Sequence, residues 1–164
     1  MENRFSPDQE KFLLAVARKA ITQYLENRKA PEVRVTDAAL RENRGAFVTL
    51  KVDGELRGCI GYPLPVKPLV ETVIDAAISA ATQDFRFAPL GKDELPRTKI
   101  EISVLSLPRP VHNISEIEVG KHGIIVSKGM NKGLLLPQVP VEWGWDCETF
   151  LAHGCLKAGL EENA

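Results

Sequence analysis

No run of apolar residues in this chain of 164 reaches the ~20 needed to cross a bilayer. The first residues, Met1-Glu2-Asn3-Arg4, lack the charged-then-apolar layout of a secretory signal. An excess of either charge is missing too: 21 Lys and Arg against 22 Asp and Glu leave a formal charge of −1. Bulk electrostatics therefore draws the protein neither to nucleic acid nor to an anionic membrane. Cysteine is scarce. Three residues with no disulfide-like spacing read as a reducing, intracellular compartment. CxxC, HxxxH and HExxH are absent, so no metal is expected short of a site assembled from distant residues such as Cys59 and His122. Gly120-x-x-Gly123 is no dinucleotide fingerprint, and there is no phosphate loop, so no cofactor is expected either. These absences describe a soluble, cytoplasmic protein.

What is present is enough apolar residue, 44%, for a sizeable core. Ser6-Pro7-Asp8-Gln9 is a capping box, and Phe12, Leu13, Val16, Ala17, Ala20, Ile21, Tyr24 and Leu25 then recur at helical spacing up to Pro31. Residues 31–45 read as a connection with a short helical turn. Ala46–Val52 alternates as a strand, and Asp53-Gly54 is a two-residue hairpin turn into a second strand over Glu55–Gly61. Leu69 to about Thr82 is a helix apolar nearly all round, hence buried against the sheet. Residues 83–90 read as irregular, with Phe85 and Phe87 anchoring the loop onto the core. Asp93-Glu94-Leu95 reads as a turn of helix and Lys99–Leu107 as a strand. Residues 114–119 hold a helical turn. A second hairpin has strands at 124–127 and 134–136, with Lys128–Gly133 as its turn and Pro137–Pro140 as an interruption. A last helix covers about Asp146–Ala158, closed by Gly159. Two hairpins among irregularly mixed helices argue for an α+β fold with a largely antiparallel sheet.

The chemistry gathers at Glu55-Leu56-Arg57-Gly58-Cys59-Ile60-Gly61. With regular alternation Leu56, Gly58 and Ile60 point one way, and Glu55, Arg57, Cys59 and Gly61 the other. A guanidinium then shares a face with a thiol. Arg57 would bind an anion and favour a Cys59 thiolate. Gly58 and Gly61 would leave bare backbone for a ligand to approach. Glu101, on the polar face of its strand with Ser103, is a candidate proton carrier or partner of Arg57. His122, in a glycine-flanked bend, is the best placed of the three histidines. Arg86, between two phenylalanines, is a further candidate binding residue. Each also has a plain reading: a packed cysteine, solvated strand charges, a capping histidine. Cys147 and Cys155, eight apart, have the spacing of core packing.

Leu56-Arg57-Gly58-Cys59-Ile60-Gly61 resembles the hallmark hexapeptide of the AMMECR domain family, whose prokaryotic members are called AmmeMemoRadiSam system protein A. Asp84-Phe85-Arg86-Phe87, Glu101–Leu105, Gly123–Val126, Gly133–Val139 and Cys155–Leu160 extend the resemblance over roughly residues 10 to 160. It implies a single domain over 1–164, of α+β fold. A larger lobe would hold both termini, and the hexapeptide would face a cleft with a smaller lobe. It also implies partnership with a Memo-like protein and a radical S-adenosylmethionine enzyme, and it carries no established activity of the family's own. Two departures stand out. Many relatives continue past Leu160 with another strand-forming stretch, and Phe85 stands where proline usually follows the aspartate.

Three functions are then expected in descending order. The first is an enzyme or enzyme-system component acting on a small anionic or carbonyl substrate at Leu56–Gly61. There Cys59 would be nucleophile or acid, Glu101 or His122 would move a proton, and Arg57, Gly58, Gly61 and Arg86 would bind. The second is a non-catalytic adaptor docking the two partners, and the third a nucleic-acid-binding module.

Overall fold

Ser6 opens the first helix as the capping box predicts. Its hydroxyl accepts from the Gln9 backbone N–H, and the Gln9 side chain accepts from the Ser6 N–H. The computed structural model describes residues 5–164; Met1 to Arg4, on which the reading of the chain start rests, lie outside the described residues. Two compact units divide the chain after Leu107, each carrying one terminus.

The first unit holds helices α1 (Pro7–Asn27) and α2 (Ala38–Arg41), strands β1 (Ala46–Val52) and β2 (Glu55–Tyr62), helix α3 (Leu69–Thr82), a 3₁₀ turn at Lys92–Arg97 and strand β3 (Thr98–Val104). The strands form one antiparallel sheet in the order β2-β1-β3. Asp53 and Gly54 both take positive φ, 52° and 84°, as a type I′ turn requires. Helix α3 packs on β1 and β2 with one side and on α1 with the other. This explains its all-round apolar sequence: Leu69, Val73, Ala76, Ala77 and Ala80 join Val48 and Leu50 in the main core. Val70, Ile74 and Ile78 meet Val16 and Ala20 of α1. Helices α1 and α3 pack on the face of the sheet that carries Val48, Leu50 and Ile100.

In the second unit, β4 (Ile124–Lys128) pairs antiparallel with β5 (Asn131–Leu135), and α4 (Gln138–Trp143) leads into α5 (Cys147–Lys157). Both sheets are antiparallel, in keeping with the expected class. Two details differ from expectation. The hairpin turn is only Gly129-Met130, with Gly129 at φ 61° as a type II′ turn needs. Gly133 lies inside β5, where a Cβ would collide with the Ala158 backbone. It is a glycine of close packing against α5 and not of a turn. The other difference is α4, where an interruption was expected. Pro140 is its third residue, among the helical positions whose N–H has no partner within the helix, so the proline forfeits no bond. Gly159 (φ 77°) closes α5, donating to Leu156 O, while Leu160 N–H reaches Cys155 O.

Gly58 faces α3, and a Cβ there would collide with the Ala80 carbonyl oxygen. Gly58→Ala is expected to lower stability by about 1–3 kcal/mol or more, measured as a reduced urea midpoint.

Candidate functional site

The motif strand β2 is an edge strand, and its register breaks once. Leu50 pairs with Gly58 but Lys51 with Leu56, so Arg57 is an extra, unpaired residue. Such a bulge redirects a side chain and shifts the alternation by one. The expected facing therefore holds from Gly58 onward and fails before it. Leu56 lies opposite Lys51 and is 42% exposed, instead of pointing to the core with Ile60.

On the face away from the helices the sheet presents three cross-strand rows: Gly61–Phe47–Ser103, Cys59–Thr49–Glu101, and Leu56–Lys51–Lys99. The middle row brings two expected site residues together on one line, with Thr49 between them. Cys59 Sγ lies 3.2 Å from Thr49 Oγ1, a hydrogen bond in which either atom can donate. Lys51 Nζ lies 3.3 Å from Glu101 Oε1 and Lys99 Nζ 4.0 Å. The thiol is half-buried.

The guanidinium of Arg57 is placed elsewhere than expected. It forks onto Glu94 (Nη1 to Oε2 2.7 Å, Nη2 to Oε1 3.1 Å) and donates to the carbonyls of Ala88 and Pro89. Its carboxylate partner is thus Glu94, not Glu101. Glu94 Oε1 also accepts the Gly91 N–H, and that bond followed by the Arg57 charge holds the carboxyl below its usual range. The bare backbone expected at the two glycines is filled by the protein itself. Ala80 of α3 occupies the space at Gly58, and the Phe47 ring lies where a Gly61 side chain would be.

Arg86 turns back on Asp84, donating from Nε to Oδ1 (3.0 Å) and from Nη2 to Oδ2 (2.8 Å). Asp84 is 6% exposed, and its Oδ2 accepts the outward N–H of Cys59 at 3.0 Å. Chiefly through Arg86, and against its own burial, Asp84 is held far below the ordinary carboxylate range. The aromatics flanking Arg86 do not both anchor the loop: Phe85 is 95% exposed, while Phe87 is half-buried with the Arg86 guanidinium 5.2 Å above its ring. Leu90 is the apolar anchor.

His122 belongs to the second unit. Its Nδ1 accepts the Glu118 N–H at 3.0 Å. In that unit Cys155 is buried, and Cys147 is half-buried with Sγ 3.9 Å from Ile114 O. Among the described residues no three His, Cys, Asp or Glu are placed to hold a metal ion. No helix among them is long and apolar enough to cross a membrane.

Sequence reasoning missed Thr49, Glu94 and Asp84. Thr49 follows from the hairpin only once the bulge is counted. Asp84 and Glu94 left a weaker trace, as acidic residues in a segment with no regular periodicity.

The family model AMMECR1 matches residues 14–164. Protein MK0488 of Methanopyrus kandleri is 52% identical over 169 residues, covering 98% of this chain and 82% of its own length. A protein of Methanothermobacter thermautotrophicus is 49% identical, covering 94% and 84%. The crystal structure of the uncharacterised protein PH0010 from Pyrococcus horikoshii superimposes with a TM-score of 0.79 at 45% identity, over 97% of this chain and 84% of that one.

Asp84→Asn keeps an acceptor for the Cys59 N–H but removes the charge that Arg86 meets. A loss of about 1–3 kcal/mol at pH 7 is expected. Because folding depresses this carboxyl, its stabilisation is complete above the unfolded value of about 3.9 and fades as pH falls below it. Denaturant midpoints taken from pH 6 down to pH 2, as far as the fold persists, should therefore fall less steeply for the variant than for the parent.

Proposed function

The chain belongs to the AMMECR1 family, and on that premise we propose that it is an enzyme, or the active component of a multi-protein enzyme system, acting on a small anionic or carbonyl-bearing substrate. The reading rests on one observation, the row Cys59–Thr49–Glu101 on the sheet face opposite α3. The Cys59 sulfur is the reacting atom. It adds to the carbonyl carbon, the C=O π pair moves to oxygen, and the proton given up by the thiol is delivered there by Glu101. The Thr49 hydroxyl orients the sulfur and donates to it once it is a thiolate. Lys51 and Lys99, in the adjoining row, hold Glu101 beside the thiol and bring positive charge to the same face for an anionic substrate, whereas Arg57 is forked onto Glu94. A cytoplasmic location, and the Memo-like and radical S-adenosylmethionine proteins as the other components of the system, belong to the same proposal.

A second reading, a non-catalytic adaptor, draws on Phe85 and Leu56, two apolar side chains exposed beside the motif. Thiol chemistry separates the two. In the folded protein, iodoacetamide at neutral pH should modify Cys59 at least about tenfold faster than Cys147 and Cys155, located by peptide mass. Thr49→Val should slow that rate about fivefold, the worth of one hydrogen bond. Labelling of Cys59 only on unfolding would end the enzymatic reading. Binding to the Memo-like protein that Phe85→Ala abolishes and Cys59→Ser leaves intact would establish the adaptor in its place.

A further inference from the structure

We propose that the aromatic stack of the second unit is a docking platform for an arginine or lysine side chain of a basic segment on another protein. The platform is independent of the sheet face and uses residues to which neither reading above gives a role. Trp145 lies flush on His153, ring centroids 3.8 Å apart and planes 2° apart. Trp143 continues the stack at 6.3 Å and 20°.

Local structure builds this. Helix α4 ends at Gly144 in the left-handed region (φ 67°), which turns the chain sharply between the two indoles. The Trp145 N–H is tied to Pro140 O at 2.8 Å. Asp146 then caps α5 through Thr149 N–H at 2.8 Å, so Trp145 sits just ahead of the helix that carries His153. Trp143 is 70% exposed, while Trp145 and His153 are half-buried. An indole held in one orientation with that much of its surface in water is arranged for contact, since large exposed aromatics mark interaction sites.

Charge decides the occupant. From Gly133 to Leu156 the sequence has Glu142, Asp146 and Glu148 and neither Lys nor Arg. All three carboxylates are exposed, and the cap bonds to Thr149 keep Asp146 below the usual carboxylate range and so ionised. An indole face attracts cations more strongly than any other side-chain ring. The acidic residues beside the indoles in the chain add to that attraction and repel phosphate, which argues against stacked nucleotides. A planar guanidinium stacks best, and Val141, 62% exposed on the preceding turn, offers apolar surface to its aliphatic stem. With one such anchor the contact is of the weak, transient kind.

Trp143 and Trp145 are the chain's two tryptophans, so selectively excited tryptophan fluorescence reports on the stack alone. The full chain would be titrated with an amidated hexa-arginine peptide, with hexaglutamate, and with AMP. A saturable change with hexa-arginine alone is expected, weakened about tenfold between roughly 0.05 and 0.5 M salt. Trp143→Ala should abolish saturation at unchanged circular dichroism. The double variant Glu142→Gln/Glu148→Gln should weaken binding several-fold and keeps the test open if the tryptophan variant does not fold. No saturable change up to millimolar peptide overturns the proposal, as does an equal response to hexaglutamate. A larger response to AMP also overturns it, in favour of a base-stacking surface.

Discussion

Two carboxylates hold the motif strand in place. As an edge strand, β2 would otherwise present unpaired N–H and C=O groups to solvent, a liability for any sheet. Asp84 takes the outward N–H of Cys59, and Glu94 takes the fork of Arg57. Both belong to the stretch between α3 and β3, so that stretch is laced along the edge by charge-assisted bonds and not by a fourth strand. Each carboxylate is well screened from water, and each has a cation and a backbone N–H to meet it. Removing a partner from such an arrangement leaves a charge desolvated and alone, which costs more than the bond itself is worth.

This lacing gives the motif's residue types their meanings. Arg57 secures the edge, and Gly58 lets α3 approach the sheet until Ala80 touches the strand. Gly61 accepts the Phe47 ring across the pair. Three of the four conspicuous residues thus hold Cys59 in position, and the half-buried thiol is left on the face opposite α3, beside a hydroxyl. A backbone fixed at its own N–H, with a side chain bonded at 3.2 Å to its cross-strand neighbour, is the preorganisation a reacting group needs. The same rigidity also suits a docking surface, which is why only the behaviour of the sulfur distinguishes the two.

Elements with a local signature were legible from sequence. The capping box at Ser6, the Asp53-Gly54 turn, the all-apolar α3 and the Gly159 cap each depend on neighbours within a few residues, and each was found where its pattern placed it. Helix α4 was hidden because proline in a first turn reads as a breaker. Gly133 was misread because its reason is the approach of α5, which no local pattern encodes. Asp84 and Glu94 were missed for the same cause: their partners on the motif strand, Cys59 and Arg57, are 25 and 37 residues away in the chain. Phe85 was misread in the opposite sense, since an aromatic in a loop is most often an anchor and this one is in solvent.

The bulge at Arg57 was within reach of the sequence, and it shows how parity constrains this site. A two-residue turn at Asp53-Gly54 with straight strands sets Glu55 against Val52, and hence Cys59 against Val48 and Arg57 against Leu50. Val48 and Leu50 are fully buried, so that register would drive a guanidinium into the core and turn Ile60 out to water. A one-residue slip exchanges the faces of a whole strand. One inserted residue restores Gly58 and Ile60 to the core side and Cys59 to the side of Thr49, and Arg57, as that residue, is freed from the alternation and can reach Glu94. The irregularity is therefore a consequence of asking a tight turn, an apolar inner face and an outward thiol of the same eight residues, Glu55–Tyr62. Local rules are broken where something beyond folding is being arranged, and in this strand the break falls two residues before Cys59.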